Sequence, residues 1–413
     1  MGRLAPVILA LLVLASMAYM PSATAQKAVI AVDLSHGQAP KGLDVIVNSC
    51  SECKWILILQ SEEQEANIEP GYLQLFAEIR YGGLTPENLN GVQVLLIGQA
   101  TNILSDEEIN AIVDWFSMGG RAIWVGGDSD YPAQGSENAQ VVINQVAEAI
   151  GSKIRSDYVS VEDDKENAGA PYRVLGTVDP EPRLADIILN GLKYKRVLFH
   201  GPGALYVLVD DEPINPVKQP DMKPENICVI VRSSEQSRVV EHQADPMQGQ
   251  HPAEYYDPFD DTVNTGPFPL MLAERISENQ LFIVSSETPY GGYEPMTAES
   301  YKDKPLDGPQ FVANVIKFMV MVATGAMTPP TVTVTPTATT ITIEKTVTET
   351  ATVTTTKATT QTVTETQTQV STTTVEKTTT VEKQVKQTDW TMGIALFIVG
   401  IILGAAAVYA TRK

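Results

Sequence analysis

Residues 104–130 read LSDEEINAIVDWFSMGGRAIWVGGDSD, and this stretch decides the fold. Ser105 followed by Asp106, Glu107 and Glu108 supplies an N-cap and an acidic first turn, the signature of a helix start. Ile109, Ile112, Val113 and Phe116 then recur at the spacing that puts them on one helical face, and Gly119-Gly120 stops the helix. The stretch that follows, Arg121 to Gly127, reads as a strand, and its apolar run suits one buried on both faces. A capped helix, a double glycine and a buried strand make up one α/β repeat.

Outward from this stretch, strand candidates lie at 28–34, 55–60, 92–98, 196–200, 204–209, 227–232 and 281–286, and several are continuous apolar runs. Residues 139–150 and 309–323 have helical periodicity, the second with Phe311, Val312, Val315, Ile316 and Met319 apolar. The pattern predicts an α/β domain over 27–327, a mostly parallel sheet with helices on both faces. Residues 209–265, crowded with prolines, acids and tyrosines, read as an elaborated insertion on that sheet.

The ends of the chain predict where this domain resides. Arg3, the apolar residues 4–18 and Ala23-Thr24-Ala25 have the order of a secretory signal peptide, so 1–25 is expected to be removed. Residues 328–388 are nearly half threonine and lack the large apolar side chains of a core, which predicts a disordered stalk. At ~3 Å per extended residue such a stalk reaches up to ~180 Å. The apolar run 390–410 is long enough for one transmembrane helix, and Arg412 and Lys413 favour a cytoplasmic tail at 411–413. Gly400 and Gly404 have the spacing of a helix–helix contact in a membrane, suited to homo- or hetero-association. The domain is therefore expected outside the cell. It contains no Asn-X-Ser/Thr sequon, which leaves the stalk threonines as O-glycan acceptors.

A formal net charge of -21 argues against nucleic acid as a partner, since phosphate binding needs clustered Lys and Arg. Of the three cysteines, Cys50 and Cys53 are expected to pair in an oxidising compartment, whereas Cys228, between Ile227 and Val229, reads as core. In open α/β sheets ligands bind outside the carboxyl ends of the strands. Those ends carry Asp33, Ser35, His36 and Gln38, then Asp128 and Ser129, then His200, then Glu287, which makes these eight the candidate ligand-binding residues. Asp33, His36 and His200 are of the types that hold a metal, the one cofactor the sequence suggests; Asp and Ser after a strand also serve as turn and cap residues. Ser129 is the candidate nucleophile. Its context, Gly127-Asp128-Ser129-Asp130-Tyr131, has the first glycine of a nucleophile elbow and lacks the last.

The order of these motifs resembles the GIFT-type domain: Asp33 to Gln38, the block 104–130, Arg196 to Gly203, and Leu281 to Glu287. The resemblance spans most of 27–326 and is weakest over 209–265. That group is similar in fold to class I glutamine amidotransferases and generally lacks their catalytic cysteine. It implies a flavodoxin-like sheet used for binding or scaffolding, with Ser129 where an amidotransferase elbow would fall. The Thr-rich stalk and single anchor are in the style of archaeal surface proteins. The function expected is a membrane-anchored module that engages a partner protein or a glycan at the carboxyl edge of its sheet, as an accessory subunit of a membrane complex or transporter. The alternative is a degenerate or metal-dependent hydrolase.

Overall fold

Val29–Asp33 forms the central strand β1, whose side chains alternate between two cores: Ile30 and Val32 on one face, Ala31 on the other. In the computed structural model β1 pairs in parallel with β2 (Lys54–Leu59) on one side and β4 (Val94–Ile97) on the other. The model describes residues 27–131, 137–240, 251–293 and 296–327. The chain divides into two units, Met1–Pro330 and Thr331–Lys413, and every described residue belongs to the first. The predicted signal, stalk and membrane span lie outside the described residues, and among those described no helix is long and apolar enough to cross a membrane.

Ten strands form the main sheet, in the order β3-β2-β1-β4-β5-β15-β14-β12-β8-β9. The first six, completed by β3 (Glu78–Tyr81), β5 (Arg121–Gly126) and β15 (Gln280–Ser285), run parallel. The last four, β14 (Pro269–Ser277), β12 (Ile227–Arg232), β8 (Arg173–Val178) and β9 (Arg196–His200), are joined by antiparallel pairings. Helices α1 (Leu43–Asn48), α6 (Pro182–Ile188) and α7 (Gly308–Ala323) cover one face, and α3 (Pro86–Leu89), α4 (Asp106–Ser117) and α5 (Asn138–Ala149) cover the other; α2 (Pro70–Leu73) is a single turn. The fold is a mixed α/β domain around a large, mostly parallel sheet.

Local chemistry explains these elements. The predicted capping box of α4 is present: Ser105 Oγ accepts from the Glu108 backbone N–H, and Glu108 reaches back to the Ser105 N–H. The buried tryptophans place ring bulk in the core and satisfy their N–H groups, Trp115 on the Val92 carbonyl at 2.8 Å and Trp124 on Ser285 Oγ at 2.8 Å. Cys50 and Cys53 form a disulfide beside Trp55, and Cys228 is free and buried.

The segment 209–265 differs from a simple insertion, because its strand β12 lies inside the main sheet between β14 and β8. Its strands β11 (Glu212–Ile214) and β13 (Ser237–Val240) pair with β10 (Leu205–Val209) and β7 (Ser160–Asp163) in small side sheets, where β6 (Ile154–Ser156) also pairs with β10. Buried Asp157 pins this region down: its carboxylate accepts the backbone N–H groups of Tyr158, Glu254, Tyr255 and Tyr256 at 2.7–3.1 Å.

Candidate functional site

The chain steps from β1 outward to β2 and β3 and then crosses back to β4, so the switch point of the sheet lies between β1 and β4. Tyr290 fills it. The ring is fully buried, and its hydroxyl accepts from the Gly98 N–H at 2.7 Å while facing the carbonyl oxygens of Asp33 at 2.7 Å and Leu96 at 3.1 Å. The crevice where the topology favours a ligand is occupied by the protein's own side chain. The loop that carries Tyr290 turns back through Gly291, at φ 72°, whose N–H meets the Lys41 carbonyl. A Cβ at Gly291 would stand 2.8 Å from the Ala39 carbonyl oxygen, so the close approach requires glycine.

Asp33, Ser35, His36 and Gln38 form one buried cluster at the end of β1. Asp33 Oδ1 accepts from the Ser35 N–H at 2.9 Å and hydroxyl at 2.5 Å, and Oδ2 accepts from Gln38 Nε2 at 2.7 Å and His36 Nδ1 at 2.8 Å. His36 Nε2 meets Glu108 Oε2 at 3.2 Å. With a carboxylate at each nitrogen the ring must carry both protons. Burial opposes that charge, yet Asp33 and Glu108 outweigh it and push His36 up to about 10. Burial likewise opposes ionised Glu108, but His36 and the Ser105 and Leu84 N–H groups hold it down to about 2. This is a closed ion network, unsuited to give up or take a proton near neutrality.

Asp128 and Ser129 form a second cluster after β5. Asp128 accepts from the Ser129 N–H at 2.7 Å and from Gln99 Nε2. Burial drives its carboxyl well above the usual range, and the Asp130 charge adds to this despite those two bonds. Ser129 is buried, and its hydroxyl accepts from the Tyr131 N–H at 3.2 Å. His251 contacts Glu137 at 2.9 Å and stacks on Tyr158.

His200 and Glu287 form the third. β9 is four strands from β15 in the sheet order, yet its carboxyl end meets the loop that follows β15. The His200 backbone N–H donates to Glu287 Oε2 at 2.5 Å. The His200 ring stacks on Tyr293, centroids 5.3 Å apart, and meets Tyr172 edge-on at 5.4 Å. All eight predicted residues therefore lie along the carboxyl edge, in three clusters and not around one point. The set Asp33, His36 and His200 is not brought together as ligands. His36 has both nitrogens on carboxylates, and among the described residues no group of three or more His, Cys, Asp or Glu side chains could hold a metal ion.

Sequence reasoning missed Glu108 as a site residue, although its place three residues after Ser105 marks it as a capping glutamate. It also missed Tyr290, Tyr172, Tyr293 and Lys41, which no local motif signals. A cavity of about 720 Å³ opens elsewhere, at the amino end of β15, between Leu184, Cys228, Arg275 and Phe318.

No protein-family model matches the chain, and no curated protein matches it. Among solved structures it is similar to one described as "mmIFT52 N-terminal domain", at 10% sequence identity and a TM-score of 0.40, over 72% of this chain and 97% of that one. A likeness of that strength carries no functional argument.

Proposed function

We propose that this chain is an outward-facing module, tethered by one C-terminal membrane span at 390–410 and set off from the bilayer by the stalk 328–388. It works by binding a partner protein or glycan at the carboxyl edge of its sheet, as an accessory subunit of a membrane complex or transporter, without bond-making chemistry of its own. The reading includes a GIFT-type, flavodoxin-like domain over 27–327, extracellular placement, an O-glycosylated stalk and association through Gly400 and Gly404.

The observation that carries it is Tyr290. Its hydroxyl bonds the backbone of both strands at the switch point, so a small substrate has no crevice there, while the rim around it presents exposed Tyr293, Tyr172 and Lys41. Tyrosine is a common anchor of binding surfaces. The hydrolase alternative has less in its favour, since Ser129 is buried and His36 is held between carboxylates.

A photo-crosslinking residue in place of Tyr293, at the carboxyl edge, or in place of Met118, where α4 leads into the amino end of β5, tests this in intact cells producing the full-length chain. Adducts at position 293 and none at 118 are expected. Equal capture at both, or none at 293, would sink the reading.

A further inference from the structure

The cavity of about 720 Å³ at the amino end of β15 falls within the size range of small-molecule sites. Its floor is low because small side chains meet there: Cys228 of β12 and Ala273 of β14 stand directly opposite each other in the ladder. Two residues away on each strand, the same face carries Ile230 and Met271, which fill the core. Leu184 of α6 and Phe318 of α7 line the cavity from the helical layer, and Leu281 of β15 completes its apolar lining.

The charged groups around this lining are not equivalent. The Arg183 guanidinium is committed, to Glu181 at 3.2 Å, the Ile227 carbonyl at 3.2 Å and Cys228 Sγ at 3.1 Å. Glu225 and Glu278 are exposed, where water screens a carboxylate. Arg275 differs from all of these. It follows Ala273 by two residues and stands opposite Leu281 in the ladder, so it rises from the same face as the floor, and it is half-buried. Its guanidinium donates to the Glu278 carbonyl, from Nε at 3.1 Å, and among the described residues it has no carboxylate partner.

We propose that this cavity binds a monocarboxylic acid with a hydrocarbon chain, the chain lying over Cys228 and Ala273 and the carboxylate on Arg275. The apolar lining suits a hydrocarbon body, whose removal from water drives binding. A half-buried guanidinium at the margin, with a neutral carbonyl for its partner, suits an anion, and the charge-assisted bond to a carboxylate is stronger there than in open water. An amine would be repelled by Arg275, and an alcohol would leave its charge unanswered. The site lies at the opposite end of β15 from Glu287 and stands apart from the carboxyl-edge reading.

The test is photo-capture on the full-length protein in lipid nanodiscs, with decanoic acid carrying a terminal diazirine as the probe and peptide mapping by mass spectrometry as the readout. Adducts are expected on the segments that hold Leu184, Cys228 and Phe318, and excess plain decanoate should suppress them where decanol and decylamine do not. Arg275→Gln should raise the half-saturating probe concentration about tenfold, and Arg275→Lys, which keeps the charge, should recover part of that loss. Ala273→Leu fills the floor and should abolish capture; Arg275 stands at the margin, so Arg275→Gln tests the site even if Ala273→Leu weakens the sheet. An unchanged melting temperature checks that the variants fold. Equal suppression by decanol overturns the carboxylate assignment, and suppression by decylamine alone overturns it in favour of a cation held by Glu225 and Glu278. Adducts confined to other segments, or capture that Arg275→Gln leaves unchanged, overturn the site, and crosslinking at position 293 decides the carboxyl-edge reading separately.

Discussion

His36 shows how one side chain changes meaning between sequence and structure. As a histidine after a strand it is a fitting metal ligand, but with Asp33 at 2.8 Å and Glu108 at 3.2 Å it is a buried imidazolium. His36→Ala would leave two carboxylates facing a void, and the loss of one member of a buried ion network costs about 3–5 kcal/mol. Chemical denaturation at pH 6 should show a loss of that order, and an unchanged midpoint would mean the network contributes nothing. The pH dependence has a definite sign. His36 is raised from 6.5 to about 10, so its contribution is complete below 6.5 and is lost as pH climbs toward 10. Glu108 is lowered from 4.5 to about 2, so its share is complete above 4.5 and is lost as pH falls toward 2. Melting temperatures should peak between these limits, and His36→Ala should flatten the alkaline decline. Tyr290→Phe removes only a hydroxyl, yet it leaves the Gly98 N–H and two strand carbonyls without that partner, an expected loss of ~1–3 kcal/mol by the same measurement.

At the scale of elements, α4 is held at its first turn by two kinds of bond that share one carboxylate. Ser105→Ala removes the cap and should cost about 1 kcal/mol. Glu108→Ala should cost more, because it also releases His36 and the Leu84 N–H at 3.1 Å. Equal losses for the two variants, measured by denaturant unfolding, would show that capping is the whole role of Glu108. The legibility of elements followed the same physics. The helix α4 and strand β5 were readable because cap, period and apolar run all agree. Strand β14 was not, because its apolar run Leu270–Ala273 opens after Pro269 and passes into Glu274 and Arg275. Buried Glu274 is tolerable only through contacts from distant chain, the Ser152 hydroxyl at 2.6 Å and the Lys153 N–H at 2.8 Å.

At the scale of the whole molecule, Cys228 reports on global packing. It lies in β12, a strand from the segment that read as an insertion, and burial pushes its thiol up to about 11. At pH 8 maleimide should label the native full-length chain at least about a hundredfold more slowly than the unfolded one, since only the thiolate reacts. Denaturant without reductant should expose one thiol, and reductant all three cysteines. Rapid native labelling would show that β12 opens easily and that the sheet is less continuous than its pairing implies.

The sequence by itself determined the α/β class, the capped helix and buried strand at 104–130, and the placement of every predicted polar residue at a strand's carboxyl end, because period, capping and apolar runs act within a few residues of one another. Tertiary structure decided what those residues do. Whether Asp33 and His36 form a site or an ion network depends on Glu108, 72 residues from His36, and whether the switch point is open depends on Tyr290, 257 residues from Asp33. Such contacts are set by how the chain crosses between elements distant in sequence, which no local pattern records.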